Sequence, residues 1–553
     1  MKGKFIKVMS LMVIVAMLAA GLAACGSSSD NAANDGAAAG DTATSDGGAQ
    51  KVLSYAISGD PETMDPTLNN YSASSIFLQQ LFRGLFKLGV DNQPVNVYCE
   101  DYTVDETGTK YVFTLIKDGK WSDGSPVVAG DFEYAWKRAL NPDVASPCAS
   151  DLYYVKNGQA YNEGSVSADE VGVKAIDEYT LEVELEGPTA FFLDLLCSTA
   201  FYPVKEEVVE ADGTWTKSVD TYITNGPFKL KEMKPQEKYV MEKDYNYILA
   251  EGVNLDILEY LVIDTPEAQL ANYKNNTIQV ADGLSQEGYA EFEGTAEYNT
   301  SDRIGVYYYD FNTSREIFQD ARVRRAFSMA IDREIIVKNV LQSTFSPALA
   351  FVPEGISDTE NPAVEFRVTA GDVIKENIEE AQKLMAEAGY PNGEGFPEVE
   401  LVTQTSQSNK DIAQAVQAMW QDNLGVKVNI VTYDSGVYWD QLAEGNFDVI
   451  RDGFTGSYND PLALLETWSW PKQENESRWH NPKYVELLDE NKLTTDESIR
   501  MKNAIEAEKI LAEDAAFMPI YFMNSTYLVK ENITGVYKNY ISHIYFENVD
   551  IIQ

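Results

Sequence analysis

Histidine is the residue type that this sequence most nearly lacks. Only His480 and His543 occur among the 553 residues. Zinc sites of the HExxH type and histidine-rich metal clusters are therefore excluded, and a Ser-His-Asp or Cys-His catalytic arrangement would need one of these two side chains. The patterns GxxxxGK[ST], GxGxxG and GxSxG are also absent. Paired acidic side chains leave no such pattern, so an enzyme is not excluded, but nothing in the sequence indicates one.

Basic residues are scarce too. The 43 lysines and arginines face 87 acidic residues, which gives a formal net charge of −44. Such a charge repels phosphates, and the sequence has no compensating basic patch, so it argues against a nucleic-acid partner. It serves solubility and suits cationic small partners. Hydrophobic residues make up 44%, a globular composition, and the length allows about three or four domain-sized units.

Long hydrophobic runs are scarce, and the one that matters lies at the amino terminus. Three lysines precede an apolar run over residues 8–20, and Leu-Ala-Ala stands directly before Cys25. This pattern is typical of a secretory signal, and the run is too short for a lasting transmembrane helix. With its cysteine, the segment resembles a bacterial lipoprotein signal. The resemblance implies cleavage after residue 24 and lipid on Cys25, which would anchor the chain to the outer face of the cell membrane.

The segment after this cysteine predicts a flexible linker. Residues 26–50 contain no side chain larger than glutamine and no apolar residue beyond alanine. They cannot bury enough surface to offset the entropy that ordering would cost. The body, from residue 51 onward, would then move freely around its anchor.

Four cysteines limit the possible disulfides. If Cys25 carries lipid, then Cys99, Cys148 and Cys197 remain, and at most one bridge can form. Cys148 with Cys197 is the pair that we expect, and three buried free thiols are the alternative.

Strand and helix patterns alternate along the body, which predicts an α/β or α+β fold. Strands are predicted where apolar residues run together or alternate, and helices where they recur at 3.6-residue spacing. Glycine is expected to end two of the helices. The predicted strands are 111–115, 180–185 and 426–430, and the predicted helices are 131–140, 322–341 (one helix or a pair), 378–388 before Gly389, and 412–420 before Gly425.

Aromatic residues are plentiful, with 32 tyrosines, 23 phenylalanines and 8 tryptophans. They suit the binding of peptides or sugars because they combine apolar area with a polar group. The alternative for any one of them is packing in the core.

An ordered set of motifs carries a family resemblance. Residues 111–142 (YVFTLIKDGKWSDGSPVVAGDFEYAWKRALNP) closely resemble the signature region of bacterial oligopeptide-binding proteins, in the peptide/nickel family of extracytoplasmic solute-binding proteins. The resemblance extends over residues 51–553. The other matching segments are 61–66 (PETMDP), 81–85 (LFRGL), 171–177 (VGVKAID), 225–230 (NGPFKL), 322–327 (RVRRAF), 330–333 (AIDR), 387–391 (EAGYP) and 457–461 (SYNDP).

The resemblance implies a two-lobed clamshell, like a type II periplasmic binding protein, with an extra inserted domain. Domain I would combine residues 51–90, 215–304 and 524–553, domain II would be 91–214, and domain III would be 305–523. The resemblance places a peptide ligand between domains I and III. It also implies a monomer that delivers the peptide to an ABC-type permease whose ATPase subunits are separate chains.

Motif positions imply the residues that line the cleft. Domain I would contribute Tyr71, Ser74 and Ser75. Gly453 would allow close approach of a ligand backbone because it has no side chain. No catalytic residue, metal or cofactor is expected. The expected contacts from domain III are Tyr308, Asn312, Trp439, Arg451, Gly453, Phe454, Thr455, Ser457, Tyr458, Asn459 and Asp460.

Ser457 departs from the family pattern. The resembling proteins usually have an aspartate there that receives the free α-amino group of the peptide, and serine cannot make that charge-assisted bond. Either Asp460 or Asp452 takes the role, or the ligand has no free amino terminus at this place. We therefore expect Ser457→Asp to change the affinity for free-amino peptides. The cystine bridge of some relatives is also missing, since Gly305 and Thr455 stand at its two positions.

Three functions stay open at this point. The first is a tethered peptide-binding protein that supplies an uptake permease. The second is a binding protein for an oligosaccharide or a modified peptide, or a receptor for a signalling peptide. The third is an extracellular hydrolase that uses paired carboxylates, which would show turnover of a peptide or glycoside.

Overall fold

A computed structural model of the chain describes residues 50–211, 213–469 and 475–552. Residues from Gln50 onward form one compact unit. The predicted signal segment, the lipid site at Cys25 and the linker up to residue 49 lie outside the described residues. None of the helices within the described ranges is long and apolar enough to cross a membrane.

A mixed sheet of eleven strands runs through the described body. Its outer parts contain parallel pairs, such as Val52–Ile57 with Ile257–Val262 and Val399–Gln404 with Val428–Tyr433. Neighbouring strands in space are Val428–Tyr433, Val399–Gln404, Val449–Thr455, Tyr298–Phe311, Phe517–Val529, Val280–Ala281, Val52–Ile57, Ile257–Val262, Lys238–Lys243 and Phe228–Lys234, with Ser346–Pro347 beside Phe517–Val529.

Two long strands join the two halves of this sheet. Tyr298–Phe311 and Phe517–Val529 pair antiparallel along most of their length. Their register shifts between Asp302 and Val306. Such an irregularity bends a strand and increases its twist, so the two halves meet at this break.

A separate antiparallel sheet lies within residues 91–214. Its alternation of buried and exposed residues follows the sequence pattern, as in Thr180–Glu184, where Leu181 and Val183 are fully buried. In spatial order its strands are Cys99–Val104, Lys110–Leu115, Thr180–Glu184 and Val173–Asp177. Two-stranded pairs are Phe86–Leu88 with Pro94–Asn96, Ile533–Thr534 with Asp550–Ile551, and Tyr537–Lys538 with Ile544–Tyr545.

The helices confirm the sequence predictions. Residues 322–341 form a helix pair, and Gly425, at φ +71°, ends Gln407–Leu424. A five-residue π-helix, Ile336–Val340, extends the second member of that pair. The α-helices are Ser72–Leu81, Ala129–Leu140, Gly158–Asn162, Phe192–Leu195, Glu206–Ala211, Pro266–Lys274, Gln286–Ala290, Ala321–Met329, Arg333–Ile335, Phe366–Ala370, Ile378–Glu387, Gln407–Leu424, Ser435–Glu444, Leu462–Leu465, Pro482–Lys492 and Glu497–Asp514.

Ala129–Leu140 shows how the sequence determines one of these helices. Its predicted apolar face, including Phe132 and Trp136, is fully buried. Asp131 accepts a hydrogen bond from the Val128 N–H at 2.9 Å and so satisfies a donor at the helix start. This helix therefore begins two residues earlier than its apolar pattern alone predicts.

The predicted disulfide is wrong, and the alternative of free thiols is confirmed. Cys99, Cys148 and Cys197 are all buried and unbridged. Burial raises the pKa of the Cys99 thiol to about 12 and that of Cys148 to about 11. Buried, protonated thiols act as small apolar side chains, so packing explains these cysteines.

Candidate functional site

A cavity of about 570 Å³ collects six of the residues that sequence analysis assigned to the ligand site. Its walls come from the start of helix Ser72–Leu81, the end of strand Val449–Thr455 and the loops that follow them. A concave site lined by aromatic and polar groups is the usual form of a ligand pocket. The six residues are Tyr71, Ser75, Phe454, Thr455, Ser457 and Tyr458.

The start of helix Ser72–Leu81 forms one wall. Ser75 accepts a hydrogen bond from the Asn69 amide at 2.8 Å and donates to the Tyr71 carbonyl at 3.1 Å. These bonds fix the turn and leave the Tyr71 side chain 45% exposed. Ser74 points the other way, because it is fully buried and accepts from the Thr63 N–H at 3.0 Å. The predicted contacts from this segment are therefore divided between the cavity and the helix support.

The end of strand Val449–Thr455 has backbone groups that point away from its partner strand, Tyr298–Phe311; we call this side its outer side. The Gly456 N–H donates to the Ile304 carbonyl at 2.8 Å. Hydrogen-bonded and non-hydrogen-bonded residue pairs alternate along an antiparallel ladder. The backbone of Phe454 therefore bonds to the neighbouring strand, Tyr298–Phe311. The N–H and C=O groups of Gly453 and Thr455 point away from that strand. The Gly453 N–H is taken by the Asp452 carboxylate at 2.7 Å.

No described strand covers this outer side near the cavity. The next strand, Val399–Gln404, is in register with Val449 and Ile450, at the beginning of Val449–Thr455. The Gly453 carbonyl and both backbone groups of Thr455 thus lie on an open strand edge. An extended chain could add here by main-chain hydrogen bonds.

Aromatic rings form a second wall. The rings of Tyr458 and Phe191 stack with centroids 3.9 Å apart, and Tyr154 meets Phe191 edge-on at 5.5 Å. Tyr458 is buried, and its hydroxyl interacts with that of Tyr154. The stack joins residues 91–214 to the loop after Thr455, which holds Ser457 at the cavity surface.

Several lining residues were missed by sequence analysis. Asp151, Asp194, Arg303, Tyr540 and His543 all line the cavity. They lie on single-turn helices, a strand break and a carboxyl-terminal loop, which are too short or too irregular to show a periodic pattern. Asp151 and Asp194 belong to the stretch predicted as inserted domain II, so this stretch contributes to the cavity together with the two regions that the resemblance named.

The charged groups of the lining differ in their partners. Arg303 donates to the Thr455 hydroxyl at 3.0 Å, and no carboxylate among the described residues pairs with it. Asp194 accepts from the Tyr540 hydroxyl at 3.3 Å, and burial together with the charge of Asp460 raises its pKa to about 7. Burial lowers the pKa of His543 to about 3, so this imidazole is neutral at physiological pH.

Other predicted site residues serve as support. Asn312 is buried and its amide donates to the Gly445 and Phe447 carbonyls. Asn459 holds the Ser357 backbone N–H at 2.8 Å. Neither residue lines this cavity.

Asp460, Arg451 and Trp439 lie outside the cavity as well. Asp460 is ion-paired with Arg500 and accepts the Leu462 N–H at 2.9 Å. The Arg451 guanidinium lies over the Tyr307 ring at 4.6 Å. Trp439 is 51% exposed on helix Ser435–Glu444. Gly453 is packed beside Met523, where an added Cβ would lie 3.3 Å from the Met523 methyl carbon.

A group of carboxylates lies further along the strands, outside the cavity lining. Oxygens of Asp310, Asp452 and Glu476 lie within 4.8 Å of one another, and these are the described residues close enough to hold a metal ion together. Asp452 accepts from the Tyr308 hydroxyl at 3.2 Å, so Tyr308, a predicted ligand contact, is a buried partner of this group. Burial and the neighbouring acids raise the pKa of Asp310 well above its usual range.

Residues 93–476 match the family described as bacterial extracellular solute-binding proteins, family 5, middle region. The dipeptide-binding protein DppE of Bacillus subtilis is 33% identical over 497 residues, which cover 90% of this chain and 91% of that protein. These matches confirm the resemblance found in the motifs.

Solved structures agree. The periplasmic murein tripeptide-binding protein MppA, in its unliganded open form, gives a TM-score of 0.79 at 30% identity and covers 91% of this chain and 97% of its own. OppA of Listeria monocytogenes bound to peptide gives a TM-score of 0.72 at 26% identity and covers 92% of this chain and 100% of its own. The predicted fold class is thus confirmed, and the chain belongs to family 5 of the bacterial extracellular solute-binding proteins.

Proposed function

We propose that this chain binds oligopeptides in the cavity between the strand end and helix Ser72–Leu81, and delivers them to an ABC-type uptake permease. Members of its family are extracytoplasmic binding proteins of ABC importers and not enzymes. The observation that carries the peptide assignment is the open strand edge at Gly453 and Thr455, which reaches the cavity lining at Thr455. Relatives named for dipeptide and oligopeptide binding support it.

The open edge explains how peptides of many sequences can be accepted. All peptides share a backbone, and strand-like pairing with Thr455 would read only that backbone. Side chains would then occupy the remaining cavity, between the Tyr458 ring and Tyr71. Arg303, which pairs with no carboxylate of the described residues, can donate to a carbonyl or carboxylate oxygen of the ligand.

Closure of two lobes is part of the proposal. The higher TM-score is with an open, unliganded relative, and the lower one is with a peptide-bound relative. The register break between Asp302 and Val306 lies where the predicted domains I and III meet, so it is suited to act as a hinge. Closing would exclude water from the backbone hydrogen bonds and so strengthen them. The exact domain limits remain a prediction.

The test is a binding titration against a cavity-filling variant. A mixed-sequence library of tri- to pentapeptides should saturate the wild-type body, whereas free amino acids of the same composition should not. Ser457→Trp, which fills the cavity at an exposed side chain, should abolish saturation and leave the melting temperature unchanged. Ser165→Trp, at an exposed site away from the cavity, is the matched control. Binding of glycans in place of peptides would instead favour an oligosaccharide-binding protein.

A lipid tether on Cys25 completes the proposed function. The lipoprotein-like signal and the linker over residues 26–50 support it. Several acyl chains would anchor the chain firmly, whereas one chain binds a membrane only marginally. Expression in a bacterial host should place the wild type in the membrane fraction and Cys25→Ser in the soluble extracytoplasmic fraction. Equal membrane retention of both would contradict the tether.

A further inference from the structure

A second cavity, of about 240 Å³, lies apart from the one described above. Its walls are helix Ala321–Met329, the turn around Ile374 and the end of helix Glu497–Asp514. It shares no lining residue with the proposed peptide cavity. Any ligand held here would therefore be recognised by a different set of side chains.

Arg325 lines this second cavity without a partner. Its side chain makes no hydrogen bond, ion pair or ring contact with any residue of the described ranges, although the residue is partly buried. Every other arginine in those ranges has at least one such partner, as Arg322 has in Asp320. A guanidinium has five N–H donors in a planar fork. In Arg325 these donors remain available to a ligand.

The helix directs Arg325 towards the cavity together with Ser328 and Met329. These two residues follow Arg325 by three and four positions, so all three lie on one face of helix Ala321–Met329. The buried Ser328 hydroxyl accepts from Arg333 at 3.1 Å and so supports the wall. Arg325 is therefore the charged group that this helix contributes to the lining.

Lys375 supplies a second cation to the lining. The turn that carries it is fixed, because the Ile374 N–H donates to the Leu349 carbonyl at 2.8 Å. The Lys375 side chain is exposed and forms no ion pair within the described part of the chain. The neighbouring acid, Glu376, is taken by Arg333 at 3.1 Å. Lys375 thus adds positive charge at the mouth of the cavity.

The floor of the cavity is apolar. Phe351 and Phe517 are buried there, and Ile374, Ala512 and Ala515 complete the apolar part of the lining. No acidic side chain of the described residues lines it. The net charge of −44 would repel an anion at long range, but salt screens such repulsion beyond about 8 Å at physiological ionic strength. The two cations and the apolar floor therefore decide which ligand is favoured.

We propose that this cavity is a second ligand site, which binds a small carboxylate with a short apolar chain. The planar fork of Arg325 suits both oxygens of a carboxylate, and such charge-assisted bonds are roughly twice as strong as bonds between neutral groups. The chain of the ligand would lie on Phe351 and Phe517, below the charge of Lys375. This site is independent of the proposed peptide binding.

The test is a ligand-observed NMR titration of acetate, butyrate and hexanoate into the body that begins at Gln50, the compact unit described above. The three probes carry the same charge, so the apolar floor should raise the affinity with chain length, by up to about fourfold for each added methylene. Hexylamine, which has a similar chain and the opposite charge, should not bind. Acetate that binds as tightly as hexanoate, or hexylamine that binds, would overturn the proposal.

Substitutions of Arg325 test its role. Arg325→Gln should lose roughly 10- to 100-fold in affinity for hexanoate, as expected when a charge-assisted bond is removed. Arg325→Lys, which keeps the charge but not the planar fork, should lose less. Arg322→Gln, on the same helix and outside the cavity lining, is the matched control and should bind hexanoate as wild type does.

A blocked peptide cavity separates the two sites. Ser457→Trp should bind hexanoate as wild type does, because the two cavities share no lining residue. Equal hexanoate affinity of wild type and Arg325→Gln, at unchanged melting temperature, would overturn the proposal. So would loss of hexanoate binding in Ser457→Trp, or a wild type that does not bind hexanoate. None of these results bears on peptide binding, which the peptide library measures separately.

Discussion

Single carboxylates decide much of the chemistry inside this protein. Asp310 is fully buried, and neither of its oxygens accepts a hydrogen bond from the described residues. Burial first, and then the charges of Asp452 and Glu476, raise its pKa. Asp310 therefore holds its proton more tightly in the folded protein than in the unfolded chain. This difference reduces the free energy of unfolding as pH rises above about 4.

Asp310→Asn should stabilise the protein at pH 7.5 and have little effect at pH 4. The asparagine is neutral in the folded and the unfolded protein, so its free energy of unfolding does not fall as pH rises. Each unit by which the folded protein raises the Asp310 pKa corresponds to about 1.4 kcal/mol of that free energy. Chemical denaturation at the two pH values measures this, with Asp302→Asn, exposed on the same strand, as the control. Stabilisation of wild type, but not the variant, by millimolar calcium would show that a cation and not a proton neutralises the group.

At the scale of elements, the strand ends beside the cavity matter most. Gly305 and Thr455 face each other directly across the two antiparallel strands. An added Cβ at Gly305 would lie 3.0 Å from the Thr455 hydroxyl oxygen and 3.0 Å from the Met523 sulfur, so the two positions are close enough for a bridge once the flexible methionine shifts.

The double variant Gly305→Cys, Thr455→Cys should form a disulfide under oxidising conditions. It should raise the free energy of unfolding by about 2–4 kcal/mol relative to its reduced form. Thiol counting and denaturation with and without reductant measure both effects, and Thr455→Cys alone is the control. Five free thiols after oxidation, the three native ones and the two introduced ones, would show that this register is wrong, whereas a bridge leaves three.

Elements were more predictable from the sequence than the cavity was. The apolar stripe of Gln407–Leu424 and the glycine after it determine that helix locally, so its type and end follow from the sequence. The position of Asp151 in the cavity lining does not follow from the sequence, because it depends on how a short turn and the nearby Tyr154 pack against Tyr458, some three hundred residues later. The end of strand Val449–Thr455, chosen from its motif position, lies at the cavity. Tyr308 and Asn312, chosen in the same way, are buried and hydrogen-bonded within the protein, because packing and not motif position determines where each side chain lies.

At the scale of the whole molecule, buried ion pairs connect the carboxyl-terminal segment to the residues that follow helix Ser72–Leu81. Glu547 contacts Arg83 at 2.8 Å and Lys87 at 2.7 Å. Burial opposes ionisation of Glu547, but the charges of Arg83 and Lys87 outweigh it and lower the pKa to about 2. The stabilisation from this pairing is present above pH 4.5, the ordinary value for glutamate, and is lost as pH falls towards 2.

Glu547→Gln should therefore destabilise the body by about 3–5 kcal/mol at pH 7, because it leaves two buried cations without their counter-charge. The difference from wild type should shrink as pH falls below 4.5. Thermal denaturation across this range measures it, and Glu531→Gln, at an exposed position, is the control. An equal difference at pH 7 and pH 3 would contradict the pairing as its cause.

The central claim is that the cavity encloses peptides, and native mass spectrometry tests it most directly. The body that begins at Gln50 is measured as purified and again after incubation with the mixed-sequence peptide library, and bound compounds are released with acid and identified. The account predicts added masses that resolve into short, heterogeneous peptides. A protein that stays bare in the presence of the library, or that carries a glycan or a single non-peptide compound, would contradict it.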